Sequence, residues 1–469
     1  MKSVFSHAAL VTILPAILLA WQAPAAAGVL EDRPGRWLGE LTIPDGPTLR
    51  LGAELYRRAD GTPWASVASP DQGVIDIPVT AIREDGATLA LTLSSAQLTL
   101  TWADGRFKGV WTQHEAPLAF DLRQVEAFPM KARPQTPRAP FPYRDETLAI
   151  STAQGITLGA TLSLPDGVAR PDLVVLVSGS GPAARDANLF GHQTFAVLAD
   201  DLARRGIAVL RYDKRGVARS TGNYEQHTVA DLVDDLQGVI RALRARKDFG
   251  RLGLIGHSEG AHVAAAAAAR LPHAVDFVVS LAGVGLGGLD MMLLQDRVWA
   301  RDHGASPAEA ERAMAYVRRF YRLVLAHAQP GPRVAALKAL YAGLPPQDQA
   351  LIRRLEMDQG SLSLAWASQP FVRAGLRADP PAAWRAVRAP VLALGGSLDH
   401  QVPSAENLGG IVAALHAGGN QRVESEILPS LNHMLQTAAT GREDEYDSLD
   451  ETLSPLLMQR IADFVRGQP

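Results

Sequence analysis

The chain has 469 residues, 47% of them hydrophobic and 20% charged, with a formal net charge of −3. That length exceeds one compact core and calls for two or three domains, and the near-neutral balance gives no basis for binding nucleic acid or an anionic membrane. The absence of Cys excludes disulfides, thiolate metal sites and a cysteine nucleophile.

Residues 1–27 read as a secretory signal. Lys2 supplies the positive start, residues 8–20 form an apolar stretch too short to span a bilayer comfortably, and Ala25, Ala26 and Ala27 provide small residues for cleavage. The expectation is export to a bacterial periplasm or beyond the cell, with no stable membrane insertion after cleavage. Residues 31–127 then read as a β-rich domain. Runs at 37–43, 48–56, 64–69, 88–93, 98–102 and 108–111 are separated by turn signals such as Asp60-Gly61, Asp85-Gly86 and Asp104-Gly105. This spacing predicts a small antiparallel barrel or sandwich, with Trp37, Trp64, Trp102 and Trp111 as core in preference to a ligand groove. Residues 128–142, with five prolines, read as a semi-rigid extended linker.

After the linker the pattern changes. Residues 147–150 and 157–164 resemble an antiparallel pair, and the apolar runs 173–177, 207–211, 252–255, 277–281 and 391–394 are of the buried parallel kind. Helical faces alternate with them. Val229, Leu232, Val233, Leu236, Val239, Ile240 and Leu243 share one face behind a capping box begun by Thr228 and Asp231. The alternation predicts an α/β domain with a mostly parallel, doubly wound sheet over 143–286 and 389–469. Residues 287–388 interrupt it without a strand signal. Helices are expected near 307–326, 333–341 and 347–358, the first started by Ser306, Pro307 and Glu309. A segment of that size is expected to form a helical cap insertion over the site.

The chemistry centres on Gly256-His257-Ser258-Glu259-Gly260, where an apolar strand runs into Gly-x-Ser-x-Gly and an alanine-rich helix leaves it. That order describes a nucleophile elbow, whose tight turn projects the serine Oγ and aims a helix N-terminus at developing negative charge. A serine hydroxyl needs a base to take its proton, and the base needs a carboxylate to orient it. Both should follow the serine, each just past a later strand. Asp399 ends the run 391–399, and His433 follows the strand-like 424–428. Glu406 and Asp358 compete for the first role, and His400 and His416 for the second. Only Asp399 sits directly past a core strand, while His400 adjoins the acid and is badly placed to bridge it to Ser258, and His416 lies within a helical run. The oxyanion hole needs two backbone donors, which the same topology places at Glu259 and at Ser180 in the loop 178–182. That glycine-rich loop lacks the spacing of a phosphate cradle. The charged run 211–216 reads as a strand-end loop held by internal ion pairs, and the acidic segment 443–451 as a solvated loop.

With these residues in place the chain resembles the α/β-hydrolase superfamily, and within it the bacterial secreted serine esterases grouped with serine aminopeptidase and lysophospholipase-like hydrolases. The resemblance rests on residues 177–182 with Arg185-Asp186, on 211–216 with Arg219-Ser220, on the elbow, on Asp399-His400-Gln401-Val402-Pro403 and on Asn432-His433. It implies an oxyanion loop, a structural turn, the nucleophile, the acid and the base at those places. The β-rich front is similar to a small module that some members carry. Ser178 departs from the His of many members and Ala218 from a common Gly. The expected function is hydrolysis of a small carboxylic ester through Ser258, Asp399 and His433 and an acyl-enzyme intermediate, with no metal or organic cofactor. Exopeptidase or thioesterase action on the same fold is the alternative, and a non-catalytic ligand-binding protein a more distant one. Oligomeric state is not specified by the sequence.

Overall fold

The structure, a computed structural model, describes residues 28–467 apart from Asp45, Ala59, Ser94, His114, Glu115, Ala132, Gln154 and Glu225. The expected signal lies outside the described residues. No helix among the described residues is long and apolar enough to cross a membrane.

The β-rich front folds as one antiparallel sheet of β1 (Gly35–Thr42), β2 (Thr48–Arg57), β3 (Pro63–Ser69), β4 (Val74–Pro78), β5 (Ala81–Asp85), β6 (Thr88–Thr92), β7 (Gln97–Ala103), β8 (Arg106–Gln113) and β9 (Ala116–Val125). Their order is β4-β3-β2-β1-β9-β8-β7-β6-β5. The two edge strands are neighbours in the chain, joined through Val79 and Thr80 alone, so the sheet must curl until its edges lie side by side. The inside of that curl is apolar: Leu55, Leu89, Leu98, Phe107 and Leu122 are fully buried. Trp37 packs edge-on against Trp102 and Phe107. Asp104 and Gly105, both at positive φ, make the tight turn between β7 and β8 that the Asp-Gly pair announces.

The segment expected to be a semi-rigid linker contacts the body through Arg133 and Gln135. Arg133, 1% exposed, meets Asp447 at 2.9 Å and donates to the carbonyls of Leu449 and Phe190. Gln135 accepts from the amides of Thr452 and Leu453.

The body is an eight-stranded sheet of β10 (Tyr143–Ser151), β11 (Thr157–Pro165), β12 (Leu173–Val177), β13 (Ala208–Tyr212), β14 (Leu252–His257), β15 (Phe277–Leu281), β16 (Val391–Gly396) and β17 (Val423–Leu428), in the order β10-β11-β13-β12-β14-β15-β16-β17. β10 and β11 are antiparallel, and all strands from β13 to β17 run parallel. Strands β12 to β15 are apolar on both faces because helices cover both. One side carries α1 (Thr194–Arg204) and α12 (Pro455–Gly467). The other carries α2 (Val229–Arg246), α3 (Glu259–Arg270) and α11 (Ser404–Ala417). The capping box of Thr228 and Asp231 forms as expected and contributes about 1 kcal/mol to the start of α2.

Residues between β15 and β16 are helical throughout: α4 (Gly288–Asp302), α5 (Pro307–Ala326), α6 (Pro330–Ala342), α7 (Pro346–Arg354), α8 (Leu364–Ser368), α9 (Pro370–Leu376) and α10 (Pro380–Ala386). From α4 to α9 they share a core of their own around Val317, Phe320, Tyr321 and Leu337. The last helix differs from the rest of the stretch 287–388. Trp384 of α10 is fully buried in the core of the body and donates from Nε1 to the Val284 carbonyl, so the separate helical core ends near Leu376.

Candidate active site

Ser258 stands immediately after β14, at the carboxyl edge of the parallel strands, with φ +55 and ψ −123. A non-glycine residue holds such a backbone only where its surroundings enforce it, at a cost of about 1–3 kcal/mol. Here the Ser258 amide donates to the Leu281 carbonyl at the end of β15, and the Ser258 carbonyl accepts from Ala261. The flanking glycines make the turn possible. A Cβ on Gly256 would lie 2.3 Å from the Gly260 carbonyl oxygen, and one on Gly260 would lie 2.1 Å from that of Val177. α3 therefore starts against the end of β12, with Ser258 on top of the turn.

The candidate acid and base stand past the last two strands of the sheet. Asp399 follows β16 and His433 follows β17, and the two loops are stitched together by Ser397, Leu398 and Ser430. His433 Nδ1 lies 2.9 Å from Asp399 Oδ2, and both side chains are buried. The other Asp399 oxygen accepts from the amides of Gln401 (3.0 Å) and Val402 (2.7 Å), which fixes the carboxylate. A carboxylate accepts and does not donate, so Nδ1 carries the imidazole proton and Nε2 is left with its lone pair. That is the tautomer a general base requires. No hydrogen bond joins Ser258 Oγ to His433 among the described residues. The link between elbow and base runs instead through His257, whose Nε2 donates to the His433 carbonyl (3.0 Å) and whose ring centroid is 5.0 Å from that of His433. Burial, reinforced by His433, pushes the His257 pKa down to about 4, so it is neutral at pH 7.

The competing residues go elsewhere. His400 pairs with Asp302 of α4 at 2.6 Å, His416 is exposed on α11, and Asp358 and Glu406 make no contact with His433. The base loop is braced by residues whose part the sequence did not announce. Asn432 and Gln436 exchange side-chain hydrogen bonds, and Gln436 reaches the Glu451 carbonyl and His192. The acidic stretch 443–451 is thus partly structural, with Tyr446 3% exposed.

The loop 178–182 passes directly over the elbow: a Cβ on Gly179 would lie 3.1 Å from Ser258 Cβ. The amides of Ser180 and Glu259 donate to no acceptor among the described residues. The charged turn after β13 supports this loop. Asp213 accepts from the Arg185 side chain and amide, Arg211 pairs with Asp186, and Arg215 with Asp235. These are the internal ion pairs expected of the run 211–216. Ala218 takes φ +43, a left-handed conformation that explains why Gly suits this position.

Cavities open beside the loops at the strand ends. One, of about 380 Å³, lies between α4 and the acid loop and is lined by Gln295, Trp299, Asp302, His400 and Gln401. The other, of about 800 Å³, lies between the β-rich front and the body, where Trp64 stacks on Tyr56 at 4.4 Å and Arg219 covers Tyr56. Neither is lined by Ser258 or His433. No group of His, Asp and Glu side chains fit to hold a metal ion occurs among the described residues.

The family model described as "Serine aminopeptidase, S33" matches residues 191–437, just over half of the chain, a span holding Ser258, Glu259, Asp399 and His433 but not Ser180. A curated protein, the esterase EstD of Thermotoga maritima, is 33% identical over 104 residues, which is 22% of this chain and 25% of EstD. The match thus spans about a quarter of that relative. Among solved structures, the ferulic-acid complex of Est1E from Butyrivibrio proteoclasticus is similar over 68% of this chain and 98% of its own, at 16% identity and TM-score 0.41. A proline iminopeptidase from Mycobacterium smegmatis is similar over 69% and 98%, at 17% identity and TM-score 0.41.

Proposed function

The chain belongs to the serine aminopeptidase (S33) family of α/β hydrolases, and from that premise we propose that it cleaves small carboxylic esters through Ser258, His433 and Asp399. The observation that carries this reading is the strained Ser258 on its elbow beside a buried His433–Asp399 pair at 2.9 Å. In the proposed reaction His433 Nε2 takes the Ser258 proton as Oγ attacks the acyl carbon. Asp399 stabilises the imidazolium without taking the proton itself. The negative charge on the tetrahedral oxygen is held by the free amides of Ser180 and Glu259. His433 then protonates the leaving alcohol, and a water activated by His433 releases the acid from the acyl-enzyme.

Two observations support an ester over a free amino terminus as the substrate feature. Glu259, the carboxylate next to Ser258 in the chain, is paired with Lys214 at 3.5 Å and so is not free for a substrate ammonium. The relative from Thermotoga maritima is named an esterase. The helical segment from α4 to α9 is read as a cap, because α4 reaches the acid loop through Gln295 to the Gln401 carbonyl (2.6 Å) and Asp302 to His400. Assay of the purified protein on p-nitrophenyl acyl esters and on aminoacyl p-nitroanilides tests the substrate class. Ester turnover that disappears in Ser258→Ala is expected, and turnover confined to the anilides would overturn the ester assignment.

A further inference from the structure

We propose that Lys214 is a positioning residue for the oxyanion hole, setting the orientation of the peptide that presents the Ser180 amide; this rests on the serine-hydrolase reading above. Lys214 sits in the turn after β13 and is 3% exposed, although its charge would be better solvated in water. Its ammonium lies 6.0 Å from the Tyr224 ring and meets two oxygen acceptors. It donates to the Gly179 carbonyl at 2.5 Å and lies 3.5 Å from Glu259 Oε2. These are the two places from which the oxyanion donors come.

The consequence follows from peptide geometry. The Gly179 carbonyl and the Ser180 N–H belong to one planar unit and point in opposite directions in the trans form. When Lys214 draws the carbonyl to its own side, the Ser180 N–H is turned to the other. Gly179 lies against Ser258, and the Ser180 amide is unpartnered among the described residues. That peptide would otherwise turn easily, since Gly179 on its carbonyl side imposes little backbone preference. A cationic donor on the carbonyl also polarises the amide and strengthens its N–H as a donor. Glu259 completes the arrangement. Its carboxylate offsets the burial of the ammonium, and its own backbone supplies the second donor. The Lys214 amide, donating to the Ala183 carbonyl, ties the turn to the same loop. Burial lowers the Lys214 pKa, and the Glu259 carboxylate opposes that shift.

The test compares wild type, Lys214→Met and Lys214→Gln on matched p-nitrophenyl esters and thionoesters. Sulfur accepts hydrogen bonds poorly, so the ester-to-thionoester rate ratio reports on the oxyanion donors. Lys214→Met is expected to lower kcat for the ester about 10- to 100-fold with KM within about threefold, less than the roughly 10²- to 10³-fold that outright loss of one oxyanion donor brings, since the Ser180 amide remains and only its orientation is released. Its ester-to-thionoester ratio should fall at least about tenfold, and Lys214→Gln, which keeps a donor, should lie between. An unchanged ratio in a folded Lys214→Met overturns the inference, even if kcat falls. Should Lys214→Met fail to fold, an unchanged ratio in Lys214→Gln has the same force. Ester turnover that survives in Ser258→Ala would instead remove the serine-hydrolase reading itself, so the two failures are distinguishable.

Discussion

Single residues carry most of the chemistry, and their legibility varied with the reach of their interactions. The positions of Ser258, Asp399 and His433 just past strand ends were readable because each follows a local pattern: a strand, a turn and a defined place after it. His257, Lys214 and Gln436 were not, because their partners are remote; Gln436 meets His192 at a separation of 244 residues. Replacing Asp399 by Asn removes the acceptor that selects the His433 tautomer. A fall in kcat of about 10³–10⁴ with KM nearly unchanged is the expected outcome in steady-state assays. His257 yields a prediction with a definite sign. Its folded pKa of about 4 lies below the ordinary value of 6.5, so the folded state binds fewer protons between those limits. The stability it contributes is present above about pH 6.5 and is lost as pH falls towards 4. His257→Asn should therefore flatten the acid limb of a melting-temperature profile. The wild-type advantage at pH 7.5 should shrink by roughly 2–3 kcal/mol by pH 4.5. A wild-type advantage that instead grows on acidification would contradict this account of His257.

Elements were legible where periodicity and punctuation agreed. Both capping boxes, at Thr228–Asp231 and Ser306–Glu309, form where the sequence places them. Strands β4, β5 and β9 were not among the runs singled out: Pro78 ends the first, and charged residues fill three of the five positions of the second, Ala81-Ile82-Arg83-Glu84-Asp85. Their partners, not their composition, make them strands. The junction of β14, Ser258 and α3 is the element on which the site depends. Gly260→Ala would push a methyl to within 2.1 Å of the Val177 carbonyl oxygen, where the backbone cannot yield cheaply. A loss of at least about 3 kcal/mol in chemical denaturation is expected, together with loss of activity. In the opposite direction, Ala218→Gly relieves a left-handed alanine and should stabilise the turn by about 1 kcal/mol.

At the scale of the molecule, the β-rich front does more than sit beside the body. Arg58 of the front donates to the carbonyls of Gly216 (2.9 Å) and Ala218, and Tyr56 lies under Arg219. The front thus clamps the turn that carries Lys214. Such coupling between distant parts of the sequence has no local signature, so the chain order led to an expectation of separate domains but not of their contact. Arg58→Ala is expected to lower kcat about three- to tenfold with little change in KM. Its effect should be smaller in a Lys214→Met background, because the two act on one loop; additive effects in a double-mutant cycle would separate them.

All of this turns on Ser258 being a nucleophile, and covalent capture tests that most directly. The protein would be treated with a p-nitrophenyl alkylphosphonate, followed by intact-mass and peptide mass spectrometry. One phosphonyl adduct per chain is expected, located on the peptide containing Ser258 and absent from Ser258→Ala. An adduct on another residue, or labelling that persists in Ser258→Ala, would contradict the account.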